Sequence, residues 1–195
     1  IQEAKNAFGN VEQRNVISWN ALISAYVDHG QLDVALCLFK QMDVEGMLPD
    51  SVTFLAILPI LSTLVDAKQC HAFLVGSGID PQISIGTSLI HMYGKCGFLV
   101  EAHKAFNNML EKNIISWNTL MAGYADQGRC HEAMHCFEEM QNCGISPDAI
   151  TFICIAKVCG SLGSLETGKQ IHNEIVNSGL LEQDIVLGIA LVDMY

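Results

Sequence analysis

The chain has 195 residues, half of them hydrophobic, which is enough apolar surface for a substantial core and excludes a disordered tail. Its formal charge of −11, with only ten lysines and arginines, excludes a broad basic face for duplex DNA or an anionic membrane. The longest apolar run, residues 54–65, is interrupted by Pro59 and is too short to cross a bilayer as a helix. The eight cysteines form no C-x-x-C pair, as expected of reduced, packed thiols in a reducing compartment. The sequence starts at Ile1 rather than Met and stops at Tyr195 inside a periodic segment, so it is expected to be part of a longer protein.

In chain order, residues 1–15 read as the end of a helical hairpin, because Ala4, Ala7, Phe8 and Asn15 recur when they are laid over residues 99–113. Residues 16–50 form the first complete hairpin. Ser18-Trp19-Asn20 opens it, with Ser18 as the expected N-cap, and Trp19, Leu22, Ile23 and Tyr26 stand at helical spacing. Gly30 interrupts this helix, and a second stripe runs through Leu32, Ala35, Leu36, Phe39 and Met42. Gly46 then stands where a left-handed C-terminal cap is expected, and Pro49 blocks continuation. Residues 51–82 read as a hairpin of different length, whose first helix is expected to kink or weaken at Pro59. Residues 83–113 read as a shorter hairpin.

The pattern then starts again. Residues 114–148 overlay 16–50 without a gap, with fourteen of 35 positions identical, Ser116 as the expected N-cap and Trp117, Leu120, Met121 and Tyr124 as the apolar set. Gly128, Ala133, Met134, Phe137, Met140, Gly144 and Pro147 follow in register. Residues 149–184 overlay 51–82 through Thr151 and Thr53, Phe152 and Phe54, His172 and His71, and Ser178-Gly179 and Ser77-Gly78, the earlier copy being about three residues shorter. Residues 185–195 begin the short hairpin anew, Gly188, Leu191 and Met194-Tyr195 matching Gly86, Leu89 and Met92-Tyr93. A cycle of three unit types therefore fills the chain, and such an array stacks neighbour on neighbour as an all-α solenoid with no single globular core.

One short stretch points elsewhere. His131-Glu132-Ala133-Met134-His135 matches H-E-x-x-H, the helical zinc-hydrolase pattern. In the sister unit Asp33 and Cys37 stand where the histidines stand, and Glu-Ala recurs as Glu3-Ala4 and Glu101-Ala102 at the same place in other units. The repeat accounts for Ala133 as a close-packing residue and places the histidines on a solvated or variable face. Adventitious zinc held by His131 or His135 with Cys130 or Cys136 is a separate expectation. His172-Asn173-Glu174 resembles the H-x-E of zinc deaminases, but no cysteine follows Cys159 to complete that motif. No catalytic group, metal or cofactor is assigned.

The 35-residue units, with Trp-Asn near the start and Pro-Asp at the end, resemble pentatricopeptide repeats. The alternation with a longer unit, GSLGSLETGKQIHNEIVNSG, and a shorter one, TSLIHMYGKCG, is similar to the plant PLS subclass. The alternative is the tetratricopeptide repeat, a peptide-binding scaffold. Trp19, Leu22, Tyr26, Ala35 and Phe39 partly meet its pattern, but Ile23 and Met121 occupy its small-glycine position.

The pentatricopeptide resemblance implies a right-handed superhelix that binds single-stranded RNA, one unit per base, with identity set by the fifth and last residues of each unit. It therefore directs attention to Asn20 with Asp50, Asn118 with Asp148, and Thr87 with Asn113. An asparagine amide can donate to a uracil carbonyl and accept from N3–H, and an aspartate can orient it directly or through water, so both full units are expected to read uracil, with cytosine second. The resemblance assigns adenine to the Thr87 and Asn113 pair. Ile17, Val52, Ile115, Ile150 and Val186 are expected to sandwich base planes, with Ser84 breaking the series. Leu55 with Gln82, Ile153 with Asp184, and Ile189 offer no hydrogen bond and are expected to be spacers or weak readers. Asn beside Trp near a helix start, and Asp after Pro, are also ordinary turn and cap chemistry.

The implied target is a U-x-A-U core in 5′ to 3′ order across residues 16–50, 51–82, 83–113 and 114–148. The implied role is recognition of sites for RNA editing, most often C-to-U, or other processing in a mitochondrion or chloroplast. Any catalytic or recruiting domain would lie beyond Tyr195 or come from a partner protein, and no membrane partner is expected. So acidic a chain is expected to bind weakly and selectively.

Overall fold

The computed structural model describes every residue except 12, 77–82 and 183. The described residues form helices, short 3-10 turns and loops, with no strand among them. Twelve α-helices follow in order: α1 (Gln2–Gly9), α2 (Val16–Asp28), α3 (Leu32–Val44), α4 (Ser51–Ile57), α5 (Leu64–Gly76), α6 (Ile83–Lys95), α7 (Leu99–Asn107), α8 (Ile114–Asp126), α9 (Cys130–Asn142), α10 (Ala149–Leu162), α11 (Leu165–Ser178) and α12 (Ile185–Met194). The hairpins expected from the sequence are the pairs α2/α3, α4/α5, α6/α7, α8/α9 and α10/α11, flanked by α1 and α12.

The helices sort into two layers. The even-numbered helices, here the A layer, pack each on the next from α2 through α12. The odd-numbered helices form the B layer, and α1, α3, α5, α7 and α9 each pack on the A helix of the following unit. The extensive contacts among the described residues are between neighbouring units, as a solenoid requires. The apolar stripes form the buried seam: Trp19, Leu22, Ile23 and Tyr26 of α2 and Trp117, Leu120, Met121 and Tyr124 of α8 are all buried, as are Ala35, Phe39 and Met42, and Ala133, Phe137 and Met140, of the helices that follow.

Aromatic contacts repeat across unit boundaries. Phe8 meets Trp19 edge-on at 4.7 Å between centroids, and Phe106 meets Trp117 in the same way at 4.5 Å. A histidine on a B helix reaches the tyrosine of the next A helix three times, from Nδ1 to the hydroxyl: His71 to Tyr93 at 3.0 Å, His103 to Tyr124 at 2.9 Å and His172 to Tyr195 at 2.9 Å. Each bond ties one unit to the next.

Two A-helix crossings are close enough that a side chain at the crossing would be crowded. A Cβ on Gly123 would lie 3.3 Å from the Gly94 Cα, and one on Gly160 would lie 3.3 Å from the Met194 Cα. These glycines let the backbones of α6 and α8, and of α10 and α12, touch.

The shortened unit behaves as Pro59 dictates. Proline has no N–H and its ring collides with the carbonyl four residues earlier. So α4 ends at Ile57 and tightens into a 3-10 turn, Leu58–Ile60, whereas its counterpart α10 runs on to Leu162. The missing residues are thus taken from the last turn of an A helix. Beside it a cavity of about 740 Å³ opens between α3 and α5, lined by Leu36, Phe39, Leu61 and Phe73 among others.

Candidate functional site

Where it is described, the last residue of a unit caps the first helix of the next. Asn15, Asp50, Asn113, Asp148 and Asp184 are the N-caps of α2, α4, α8, α10 and α12, and each accepts a hydrogen bond from the helix's free amides. At four of these the third helical residue completes a capping box, through Ser18, Thr53, Ser116 and Thr151. Ser18 and Ser116 are therefore not the caps expected of them. The preceding unit already supplies the cap, so the helix starts three residues earlier than a serine cap would give and each serine accepts a bond from the cap's backbone amide, at 3.0 Å in both cases.

On this scaffold the structure joins the expected reader pairs directly. The Asn20 amide donates to Asp50 Oδ1 at 2.9 Å, and the Asn118 amide donates to Asp148 Oδ1 at 3.0 Å. A third residue closes each group: the Thr53 hydroxyl donates to Asn20 Oδ1 at 2.6 Å and the Thr151 hydroxyl to Asn118 Oδ1 at 2.7 Å. A carboxylate only accepts, so it fixes the NH₂ end of the amide, and the threonine fixes the oxygen end. One amide N–H and one oxygen lone pair of each asparagine remain for another group. Burial acts to raise the pKa of Asp50 and Asp148. Bonds from the threonine amide and hydroxyl, the asparagine and the backbone amide of Val52 or Ile150 outweigh it and hold both below the ordinary 3.8.

Around the second group the A layer forms a cleft of about 490 Å³ lined by Ile115, Asn118, Asp148 and Ile150, with His91, Lys95 and Asp126 at its edges. Four of the expected site residues thus share one space. Ile17, Val52, Ile115, Ile150 and Val186 are all at least 55% exposed, and they occupy the same register on α2, α4, α8, α10 and α12. Scattered exposed aliphatics are ordinary; recurrence at one register is what singles these out. The next cleft along, about 450 Å³, is lined by Ile153, Val186 and Ile189 and carries no amide.

The third pair is not joined. The Thr87 hydroxyl donates to its own helix, to the Ile83 carbonyl at 2.7 Å, and Asn113 Oδ1 accepts from the Ser116 amide at 3.0 Å. Asp184 likewise acts as a cap, bonded to the amides of Val186 and Leu187. Gln82, and Ser77-Gly78 of the repeat comparison, lie outside the described residues.

Among the described residues no group of three or more His, Cys, Asp or Glu side chains converges as a metal site would. His131 and His135 are exposed, whereas Cys130 and Cys136 are buried, so the two sets occupy different faces of α9. Glu132 is paired with Arg129. Ala133 is fully buried, as its packing role requires. Burial pushes the Cys136 thiol up to about 12, aided by Glu139, Glu132 and Cys154, which leaves it unreactive. His172 bonds to Tyr195, and Glu174 accepts from Gln141 at 3.1 Å.

Sequence reasoning missed Thr53 and Thr151. The D-x-x-T spacing after Pro-Asp signals a capping box, but nothing in it tells that the hydroxyl also reaches back to the previous unit's asparagine.

The PPR repeat family model matches residues 14–61 and 112–161, and a PPR repeat model matches residues 87–114. A putative pentatricopeptide repeat-containing protein of Arabidopsis thaliana is 33% identical over 198 residues, covering all of this chain and 28% of the relative. A chloroplastic member from the same plant is 33% identical over 24% of its length, and a mitochondrial one 32% over 33% of its length. The chain thus spans about a quarter to a third of these curated relatives. Among solved structures, the pentatricopeptide repeat protein PPR10 in complex with an 18-nt psaJ RNA element superposes with a TM-score of 0.77 at 24% identity, over 99% of this chain and 29% of that one. The nuclear proteinaceous RNase P 2 of A. thaliana gives 0.65 at 14% identity, over 83% and 38%. With its matched helical units, buried Trp and Phe seams and stacked A and B layers, the chain belongs to the pentatricopeptide repeat family.

Proposed function

We propose that this array binds single-stranded RNA with sequence preference, one unit per base, and serves as the recognition segment of a longer organellar protein that directs C-to-U editing or another processing event. The observation that carries the reading is the twofold recurrence of an oriented carboxamide with a donor and an acceptor left over. Such an edge complements uracil, whose carbonyl accepts and whose N3–H donates. The exposed aliphatics at one register of α2, α4, α8, α10 and α12 support the flanking of an inserted base, as unstacked bases require. The PPR10 complex supports RNA as the ligand class, and the chloroplastic and mitochondrial relatives support an organelle. The alternation of unit lengths supports the PLS subclass. The proposed core is U-x-A-U in 5′ to 3′ order, with uracil at Asn20/Asp50 and at Asn118/Asp148. Adenine at Thr87/Asn113 rests on the family pairing alone.

Asn118→Thr with Asp148 retained tests it. Binding of the variant and the parent is compared on four RNAs that differ only at the last of these bases, at fixed salt. A shift from uracil toward guanine is expected, since the shorter side chain makes room for a purine and the family pairing of Thr with Asp implies guanine. By analogy with other base-edge contacts the discrimination is about 1–3 kcal/mol. An unchanged ranking reduces Asn118 to a helix residue.

A further inference from the structure

The A helices carry few charges. Beyond the cap residues their ionisable acid and base side chains are Asp28 of α2, His91 and Lys95 of α6, Asp126 of α8, Lys157 of α10 and Asp193 of α12. Of the two lysines, Lys95 lies 3.4 Å from the Pro59 carbonyl. The other, Lys157, donates to Asp126 Oδ1 at 2.8 Å, an ion pair in which both side chains stay mostly exposed. Its position is what matters. Asp126 lines the cleft that holds Asn118 and Asp148, and Lys157 lines the next cleft with Ile153, Val186 and Ile189. The pair therefore crosses the ridge between two successive clefts, and a strand that sets one base in each must carry a phosphodiester over that ridge.

We propose that the Lys157 ammonium is a phosphodiester-binding site and that Asp126 occupies it in the RNA-free protein, so that binding exchanges a carboxylate for a phosphate. The inference rests on the RNA-binding reading above and adds to it a backbone contact and its competitor. The bond from Lys157 to Asp126 and the charge of Asp126 raise the lysine's pKa, so it stays protonated throughout the neutral range. The exchange is between two anions for one cation, and the displaced Asp126 is left facing the incoming backbone. This makes a weaker and more selective array than the same lysine alone would give. Repeat symmetry supplies the control. Asp28 holds the place of Asp126 in the other full unit, but Pro59 stands where Lys157 stands, so there the carboxylate has no lysine to occupy.

The test is a double-mutant cycle in the 195-residue chain, with affinity for a U-x-A-U single-stranded RNA read by fluorescence anisotropy over a series of salt concentrations. Asp126→Asn is expected to bind about two- to fivefold more tightly, the span set by releasing an exposed ion pair. In a Lys157→Gln background that gain should shrink to the general charge effect that Asp28→Asn reports. Lys157→Gln alone should weaken binding and lower the salt slope by about 0.7, the share of one single-strand phosphate contact. Asp28→Asn removes the same charge from the same layer and should gain less than Asp126→Asn. The proposal is overturned if Asp126→Asn gains equally with and without Lys157, or if Asp28→Asn matches it, because either result is general charge repulsion. Failure of the RNA reading looks different: no variant binds, or Asn118→Thr leaves base ranking unchanged.

Discussion

At the residue scale, Asp148 and Thr151 each do two things. Asp148 caps α10 and orients the asparagine of the unit before it, and the Thr151 hydroxyl completes the box while holding the other end of that amide. Thr151→Val keeps the shape and removes the hydroxyl. It should cost about 1 kcal/mol in urea unfolding and blunt uracil selection, since the freed amide can rotate. Both aspartates have a folded pKa below the ordinary 3.8. A lowered carboxylate pKa contributes stability that is complete above the unfolded value and is lost as pH falls through the folded one. An Asp50→Asn, Asp148→Asn protein should therefore lose stability relative to the parent at pH 7, and the difference should shrink below pH 3.8, as thermal unfolding across pH would record. The asparagine and aspartate were legible in the sequence because they recur in register. The threonine's second bond was not, because it spans a unit boundary that one-dimensional comparison treats as a break.

At the element scale, the seam between units is aromatic. Phe106 and Phe137 are almost fully buried, the first against Trp117 and the second near Phe152. Replacing either by Ala should cost about 3–5 kcal/mol, measured as loss of amide protection in the helices it touches rather than uniformly along the chain. Helical periodicity made nearly every element readable, because trains of apolar residues at i, i+3 and i+4 have one low-energy solution in such hairpins. The glycine contacts escaped it. A glycine inside a helix reads as a local weakness, and only the neighbouring helix explains why Gly94 and Gly123 face each other so closely that a methyl group would be crowded. The turn at Pro59 was readable as a disturbance, but not that it would shorten the helix and leave the 3-10 turn that follows.

At the scale of the molecule, each unit leans mainly on its neighbours, so the proposed function is distributed along the A layer rather than gathered in one pocket. The largest cavity, in the B layer, shares no residue with the asparagine groups. The histidines of the H-E-x-x-H stretch stand outside the A layer too. His131→Ala with His135→Ala should leave the helical circular dichroism and the ranking of RNAs unchanged. One zinc held tightly by the parent, and lost with an activity in this variant, would overturn that assignment. The acidity was plain from composition; where it acts was not, because the pairing of Asp126 with Lys157 joins residues on different helices.

Because Asp148, the last side chain of one unit, starts the helix of the next, the segment proposed to recognise a base is out of phase with the segment that repeats. The working cassette around Asn118 runs to Thr151, three residues past the repeat boundary at Asp148. Anyone splicing such arrays inherits a rule: a graft cut at the boundary delivers its carboxylate to a foreign helix, and keeps its meaning only if the recipient offers a hydroxyl three positions on. Cuts placed inside the second helix, away from both clefts and caps, carry the whole group across intact.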